Sequence, residues 1–154
     1  MKIQTPRWVA GAVAVATATA LGVGMATGPA QADGNRRQVL HANLTGAAEV
    51  PGPGDSDGSG KARVYNDKDE ADIICVDLRV RDIDRATAAH IHEGGPTVAG
   101  PVVVTLTAPV GGRSRACAVS TAAQVAEILA DPQDYYVNVH NPAFPGGAVR
   151  GQLR

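Results

Sequence analysis

Apolar and polar residues alternate along many short stretches of this chain, and that two-residue period is typical of half-buried β-strands. In the clearest stretch, residues 72–80, the alternation places Ile74, Val76, Leu78 and Val80 on one face. Turn-forming residues separate this stretch from others of the same kind. Further strands are predicted at residues 39–44, 61–65, 101–106, 135–140 and 148–153, and around residues 90–92. Residues 109–114 are predicted to form a turn that leads Cys117 into a strand or strand end.

A single segment departs from this alternation and has the period of a helix. Residues 122–130 carry apolar side chains at helical spacing, Thr121 and Gln124 are spaced as a capping box, and Pro132 ends the segment. Many short strands with one late helix predict an all-β fold: an antiparallel Greek-key β-sandwich with one short helix near the C-terminal third. We expect the helix to cover one end of the sandwich.

The amino terminus has the features of a secretory signal peptide. Lys2 and Arg7 precede an apolar run at residues 8–27, and residues 30–32 form an A-x-A cleavage motif. A membrane anchor is the alternative, but the run is only weakly hydrophobic and no basic stop-transfer cluster follows it closely. The sequence therefore predicts a secreted or extracytoplasmic protein without a stable membrane span after cleavage, divided into a signal peptide (1–32), a flexible leader (33–38) and one domain (39–154).

The net charge of the chain bears on which classes of partner it could bind. The chain has 14 Lys and Arg against 15 Asp and Glu, and two of the basic residues lie in the predicted signal peptide, which leaves 12 against 15 and a formal charge of −3. A nucleic-acid-binding domain normally carries a clear excess of basic residues. We therefore expect no nucleic-acid partner.

The two cysteines, Cys75 and Cys117, both fall in the predicted mature domain. An even number of cysteines in an exported chain is most simply a disulfide, and a loop of about 40 residues would stabilise the fold by roughly 3–4 kcal/mol. The alternation places Cys75 on the face opposite Ile74 and Val76, outside the main core. A reactive or metal-binding thiol pair is the less favoured alternative.

Three of the four histidines are placed where they could meet. Successive side chains of a strand point to opposite faces, so His90 and His92 share one face. His140 ends the strand at residues 135–140, on the face away from Val137 and Val139. If the two strands are neighbours in one sheet, the three imidazoles converge, whereas His41 is expected to be an exposed strand residue.

The chain resembles the CHRD domain family, which is named for chordin and is also found in secreted bacterial proteins. The matching segments are residues 44–51 (LTGAAEVP), 87–94 (TAAHIHEG), 100–103 (GPVV), 135–140 (YYVNVH) and 145–153 (PGGAVRGQL). In chordin the domain is part of an extracellular regulator of signalling ligands. The resemblance implies a secreted, non-catalytic binding or structural module whose partner is an unknown extracellular protein or envelope component.

Two interpretations of the histidines remain open. In the first, His90, His92 and His140 bind copper or zinc, because neutral imidazoles suit these ions and an H-x-H strand presents two rings to one ion. In the second, they belong to a hydrogen-bond network that needs no metal. The residues expected around the histidines, as outer neighbours of a metal or as members of the network, are Glu49, Glu93, Tyr136, Asn138 and Arg150. Exposed imidazoles with free ring nitrogens would favour metal.

No catalytic residues are predicted. The sequence has no G-x-S-x-G nucleophile elbow, its cysteines are expected to be paired, and no motif places two carboxylates for glycosidic chemistry. An H-x-H strand on a Greek-key sandwich is similar to one in copper/zinc superoxide dismutases, but four histidines are too few for that two-metal site. We therefore expect neither dismutase activity nor another enzymatic function.

Overall fold

A computed structural model describes residues 36–154, so the predicted signal peptide and the start of the leader lie outside the described residues. The described chain folds into eight strands and one α-helix, with short 3-10 turns at Gly46–Ala48 and Pro132–Asp134. These elements are β1 (Val39–Thr45), β2 (Ser59–Asn66), β3 (Ile73–Arg81), β4 (Ala88–Glu93), β5 (Val102–Leu106), β6 (Arg113–Val119), α1 (Ala122–Ala130), β7 (Tyr135–His140) and β8 (Val149–Gln152).

All strand pairs are antiparallel and belong to one sheet in the order β5-β4-β7-β8-β1-β2-β3-β6. The sheet curls so that its two edge strands, β5 and β6, approach each other without pairing. The β3–β4 and β6–β7 connections each cross over other strands, which is the Greek-key pattern. The predicted all-β Greek-key fold is confirmed, with a single nearly closed sheet in place of two separate ones.

The core lies inside the curl and is built by the alternation. In β1, Leu40, Ala42 and Leu44 are buried while the residues between them are exposed. β3 and β4 repeat the pattern, with Ile74 and Ile91 fully buried. Burying side chains of this size stabilises the fold by about 1.5–3 kcal/mol each, so the alternation determines which face of every strand points inward and which carries polar chemistry outward.

The predicted disulfide joins the outer faces of β3 and β6. Cys75 and Cys117 are directly opposite each other in the register, with Cα atoms 3.9 Å apart. Cys75 points away from the core, as its position in the alternation predicted, although it is only 3% exposed. The bond thus fixes β6, an edge strand, to its neighbour β3.

The helix has the predicted bounds and half of the predicted capping box. The Gln124 amide N–H donates to Thr121 Oγ1 at 3.1 Å, but the Gln124 side chain donates to the Tyr135 hydroxyl at 3.2 Å and does not reach back to Thr121. Val125 and Ile128 are buried in the core. No helix within residues 36–154 is long and apolar enough to span a membrane.

The start of β6 falls inside a segment predicted to be a turn. Residues 109–114 were expected to form that turn, but β6 begins at Arg113. Gly112, at φ +80°, completes the turn two residues earlier than expected, and its carbonyl accepts from the Val80 amide at 2.9 Å. As a result, Arg113 joins the sheet and stands opposite Arg79.

Candidate functional site

The pairing of β4 with β7 assembles the histidine cluster. His90 is opposite Asn138, His92 is opposite Tyr136, and His140 is opposite Ala88. Because alternate residues share a face, all three imidazoles lie on the outer side of the sheet, away from Ile91 and Val137. The two strands are the sheet neighbours that a convergence of the three rings requires.

The three rings are close enough to share one ion. One nitrogen from each of His90, His92 and His140 can be chosen so that all lie within 4.8 Å of one another. His90 Nδ1 and His140 Nε2 are 3.0 Å apart, and the rings of His90 and His92 meet edge-on with centroids 5.5 Å apart. His90 and His140 remain partly exposed, whereas His92 is 9% exposed, so the exposure expected of a metal site holds for two of the three rings.

Backbone carbonyls determine which nitrogen of two rings faces the cluster. His92 Nδ1 donates to the Gly100 carbonyl at 2.8 Å, and His140 Nδ1 donates to the Pro145 carbonyl at 3.0 Å. A carbonyl oxygen can only accept, so both rings carry their proton on Nδ1 and present the Nε2 lone pair. Metal-binding histidines are commonly oriented by a carbonyl in this way.

One of these lone pairs has no partner. His92 Nε2 is buried and forms no hydrogen bond with any residue of the described part of the chain. Leaving a buried acceptor unsatisfied costs about 1–3 kcal/mol. This nitrogen is therefore open to a partner from outside the described chain, such as a water molecule or an ion.

The surroundings of His90 and His140 favour the neutral form of these two rings. Burial lowers the pKa of His90, and the neighbouring His140 and His92 lower it further. Burial also lowers the pKa of His140, against a smaller opposing effect of its hydrogen bond to Pro145. Neutral imidazole is the form that coordinates metal, because its second nitrogen keeps a lone pair.

A glycine loop brings the carbonyl to His92. Gly100 lies so close to the Glu93 carbonyl that a Cβ at this position would overlap it. From there, Gly100 accepts from His92 through its carbonyl and donates its amide N–H to the Tyr136 hydroxyl at 3.1 Å. The loop after β4 is thereby fastened to both β4 and β7.

His92 is stacked on Tyr136, and Tyr136 is in turn contacted by Arg150. The rings of His92 and Tyr136 are nearly parallel, at 10°, with centroids 4.8 Å apart. Arg150 lies on β8, with its guanidinium carbon 3.3 Å from the Tyr136 ring centroid, and its Nη2 donates to the Gly95 carbonyl at 2.8 Å. Because Arg150 is only 1% exposed, it braces the cluster and is not available to an external anion.

Glu49 lies near Arg150 and interacts with its positive charge. It is 8% exposed, and burial raises its pKa to about 7, although the positive charge of Arg150 partly opposes the rise. No carboxylate within residues 36–154 lies within 4.0 Å of the Arg150 guanidinium, so the two residues interact through space without a direct ion pair. A Cβ on Gly147 would overlap the Glu49 carboxyl group, which explains the glycine there.

The remaining candidate residues differ in whether they lie at the histidine cluster. Asn138 is 2% exposed beside His90, and its Oδ1 has no partner among the described residues. Glu93 lies outside the cluster: it is exposed, pairs with Tyr135, and alternates onto the opposite face from His92. His41 is exposed on β1, as expected.

Sequence reasoning did not find the two carbonyls that orient the rings, those of Gly100 and Pro145. Both belong to glycine-containing loops that directly follow a histidine strand, and those loops were interpreted only as turns. In this chain, the glycine-containing loop after each histidine strand is the sequence feature that could have indicated a carbonyl folding back to orient the ring.

The sequence matches the family described as the CHRD domain over residues 40–153. No curated protein matches the chain, and no solved structure does. The matched region includes all eight strands of the sheet except the first residue of β1, together with the histidine cluster and the loops that orient it. The chain therefore belongs to the CHRD domain family.

Proposed function

We propose that this protein is a secreted, non-catalytic CHRD module that binds a copper or zinc ion through His90 Nδ1, His92 Nε2 and His140 Nε2. The observation that carries the proposal is the buried, unpartnered Nε2 of His92, which is held toward the other two rings by its hydrogen bond to Gly100. A metal ion would satisfy this nitrogen and its two neighbours together, with the proton that His90 Nδ1 shares with His140 Nε2 in the ion-free cluster carried on His90 Nε2 instead.

A purely structural hydrogen-bond network fits the same residues less well. Such a network stabilises a fold when every buried polar group has a partner. Here His92 Nε2 and Asn138 Oδ1 have none within the part of the chain described. A network would also be expected to use the ring nitrogens on one another, but only His90 and His140 are within hydrogen-bond distance.

The nitrogen positions suit a small ion. With metal–nitrogen bonds of about 2.0–2.1 Å, nitrogens on one tetrahedral ion lie roughly 3.3 Å apart. The separations in the cluster, 3.0 Å for one pair and at most 4.8 Å for the others, lie on both sides of that value. Imidazole ligands favour copper and zinc, and copper is the stronger binder of the two.

Several features support an extracytoplasmic role for this binding module. The amino terminus is predicted to be a signal peptide, and the Cys75–Cys117 disulfide is compatible with an oxidising compartment. CHRD domains are generally extracellular binding modules. We expect the partner to be an extracellular protein or an envelope component.

Bound metal measured on the purified protein tests this function. After dialysis against copper or zinc, we expect about one equivalent of metal in the parent protein, and a loss of most of it in His92→Ala and His90→Ala, since each removes a ligand. His41→Ala is the matched control, because it removes an exposed histidine outside the cluster. Sub-stoichiometric metal in the parent, or equal loss in the His41 variant, would refute the metal site.

A further inference from the structure

A row of positive charges crosses the outer face of the sheet on the side of β2, β3 and β6. In the register of these strands, Lys61 is directly opposite Arg79, and Arg79 is directly opposite Arg113. All three side chains are exposed. Like charges in directly opposed positions repel one another and destabilise a sheet, so this row carries a cost within the fold.

No nearby carboxylate relieves that repulsion. Within residues 36–154, no acidic group lies within 4.0 Å of the charged groups of Lys61, Arg79 or Arg113. The only carboxylate on the outward positions of the three strands, Asp77, is already paired with Arg115 and lies 3.7 Å from Arg63. The row is therefore a set of cations without counter-charges on the described protein.

The row belongs to a larger surface, which we call the basic face. It consists of the outward-pointing cations of β2, β3 and β6, namely Lys61, Arg63, Arg79, Arg81, Arg113 and Arg115. Six cations against the single carboxylate of Asp77 give these strand positions a net charge of +5, although the whole chain has a formal charge of −1. Charge is thus concentrated on one side of the molecule.

The basic face also has a suitable shape. A shallow depression of about 350 Å³ lies between the ends of β2, β3 and β6. It is lined by the cations Lys61, Arg79, Arg81 and Arg113 together with Gly60, Val80 and Gly112. Adjacent strands are about 4.8 Å apart, so the row presents cations along a line of roughly 10 Å.

We propose that the basic face binds a linear anionic polysaccharide, with Lys61, Arg79 and Arg113 contacting successive acidic groups of the polymer. Guanidinium groups bind carboxylate, sulfate and phosphate through two parallel hydrogen bonds. A chain of acidic sugars supplies such groups at intervals and needs no apolar pocket. The polymer would neutralise the repulsion that the sheet otherwise bears.

Other anionic partners fit the basic face less well. Single-stranded nucleic acid binds by stacking its bases on aromatic side chains, but Tyr65, the aromatic residue on the described part of this face, is covered by Arg37 and Arg63, whose guanidinium carbons lie 5.0 and 5.3 Å from its centroid. Membrane-surface binding usually inserts an apolar surface, and a protein interface buries an apolar or aromatic centre. The cations and glycines of the depression provide neither.

The basic face is separate from the histidine cluster. The cluster is formed by β4 and β7, whereas the basic face is formed by β2, β3 and β6, on the other side of β8 and β1 in the sheet order. Polysaccharide binding and metal binding can therefore be tested independently, and the failure of one leaves the other standing.

Binding of the purified protein to polygalacturonate, with neutral dextran as the control polymer, tests the proposal. We expect Arg79→Gln/Arg113→Gln to weaken binding at low salt at least about tenfold and to reduce the slope of log K against log salt concentration by roughly 1–2. The matched variant Lys68→Gln/Arg85→Gln removes two exposed cations outside the basic face and should stay within about twofold of the parent.

Three results would overturn the proposal. Absence of polygalacturonate binding by the parent protein is the first, and equal weakening by both double variants is the second, because it would show an effect of net charge alone. The third is tighter binding to vesicles that contain phosphatidylglycerol, or to a single-stranded oligonucleotide, than to polygalacturonate. All four substitutions are at exposed positions, so both variants should remain folded. The Arg79→Gln/Arg113→Gln variant removes two opposed like charges and should have an unfolding midpoint at or above that of the parent.

Discussion

The ionisation of Glu49, a buried carboxyl group, is expected to affect the stability of this fold. Its carboxyl group is 8% exposed, and burial raises its pKa from 4.5 to about 7, with Arg150 opposing part of the rise. Between these two pH values the folded protein holds a proton that the unfolded chain has lost. The stabilisation from the buried neutral carboxyl is thus complete below pH 4.5 and is lost as the pH rises through 7.

Glu49→Gln should remove this dependence on pH. An amide of the same shape does not ionise, so the free energy of unfolding of the variant, minus that of the parent, should rise by roughly 1–2 kcal/mol between pH 5 and pH 8. This expected change in free energy is smaller than the full pKa shift of Glu49 would give, because solvent screens part of the carboxylate charge. Urea unfolding of both proteins across this range measures the difference, in which the titration of the histidines cancels. A constant difference would show that Glu49 is ionised in the folded protein.

Gly100 is the residue that links the loop after β4 to the histidine cluster. In Gly100→Ala, the new Cβ would overlap the Glu93 carbonyl, so the loop must move and His92 Nδ1 would lose its acceptor. We expect a loss of about 1–3 kcal/mol in the free energy of unfolding, together with weaker metal binding. Urea unfolding and a metal titration measure the two effects.

Gly95→Ala is the matched control for this substitution. It lies in the same loop, and a Cβ there would have no atom within 4 Å. The control should have the stability and metal affinity of the parent. If the two alanine variants behave alike, the close approach of Gly100 has no part in orienting His92.

At the scale of elements, sequence patterns predicted most where burial is one-sided. The alternation identified the buried faces of β1 and β3 because large apolar residues occupy every second position. It failed at the start of β6, where the inward residues Ser114 and Ala116 are small and leave little hydrophobic signal. An edge strand with small inward residues is formed chiefly by its partner, here β3.

The functional surfaces show the same limit. Strand alternation was sufficient to place His90, His92 and His140 on a common face once β4 and β7 were neighbours. The carbonyls that orient the rings, and the row of Lys61, Arg79 and Arg113, depend on loop packing and on the register between strands distant in sequence. Neither quantity can be obtained from local hydrophobic periodicity.

At the scale of the whole molecule, closure of the sheet depends on a strand that is paired on one side only. β6 pairs with β3 but not with β5, so the edge has no second ladder of hydrogen bonds to retain it. The Cys75–Cys117 disulfide supplies a covalent connection at the middle of the β3–β6 pair. The disulfide therefore stabilises the open seam between the edge strands β5 and β6 as well as the chain as a whole.

Replacing both cysteines by alanine should lower the free energy of unfolding by about 3–4 kcal/mol, because the separation of 42 residues makes the closed loop long. Urea unfolding of the oxidised parent and the Cys75→Ala/Cys117→Ala variant measures the loss, and the reduced parent should resemble the variant. Metal content should be retained under conditions where the variant is folded, since β4 and β7 are not joined by the bond.

The basic face should respond more strongly to loss of the disulfide than the metal site. Arg113 and Arg115 lie on β6, so a loosened β6 should weaken polygalacturonate binding before the metal site is affected. Equal losses at both sites would mean that the disulfide supports the sheet uniformly and not chiefly at its open seam.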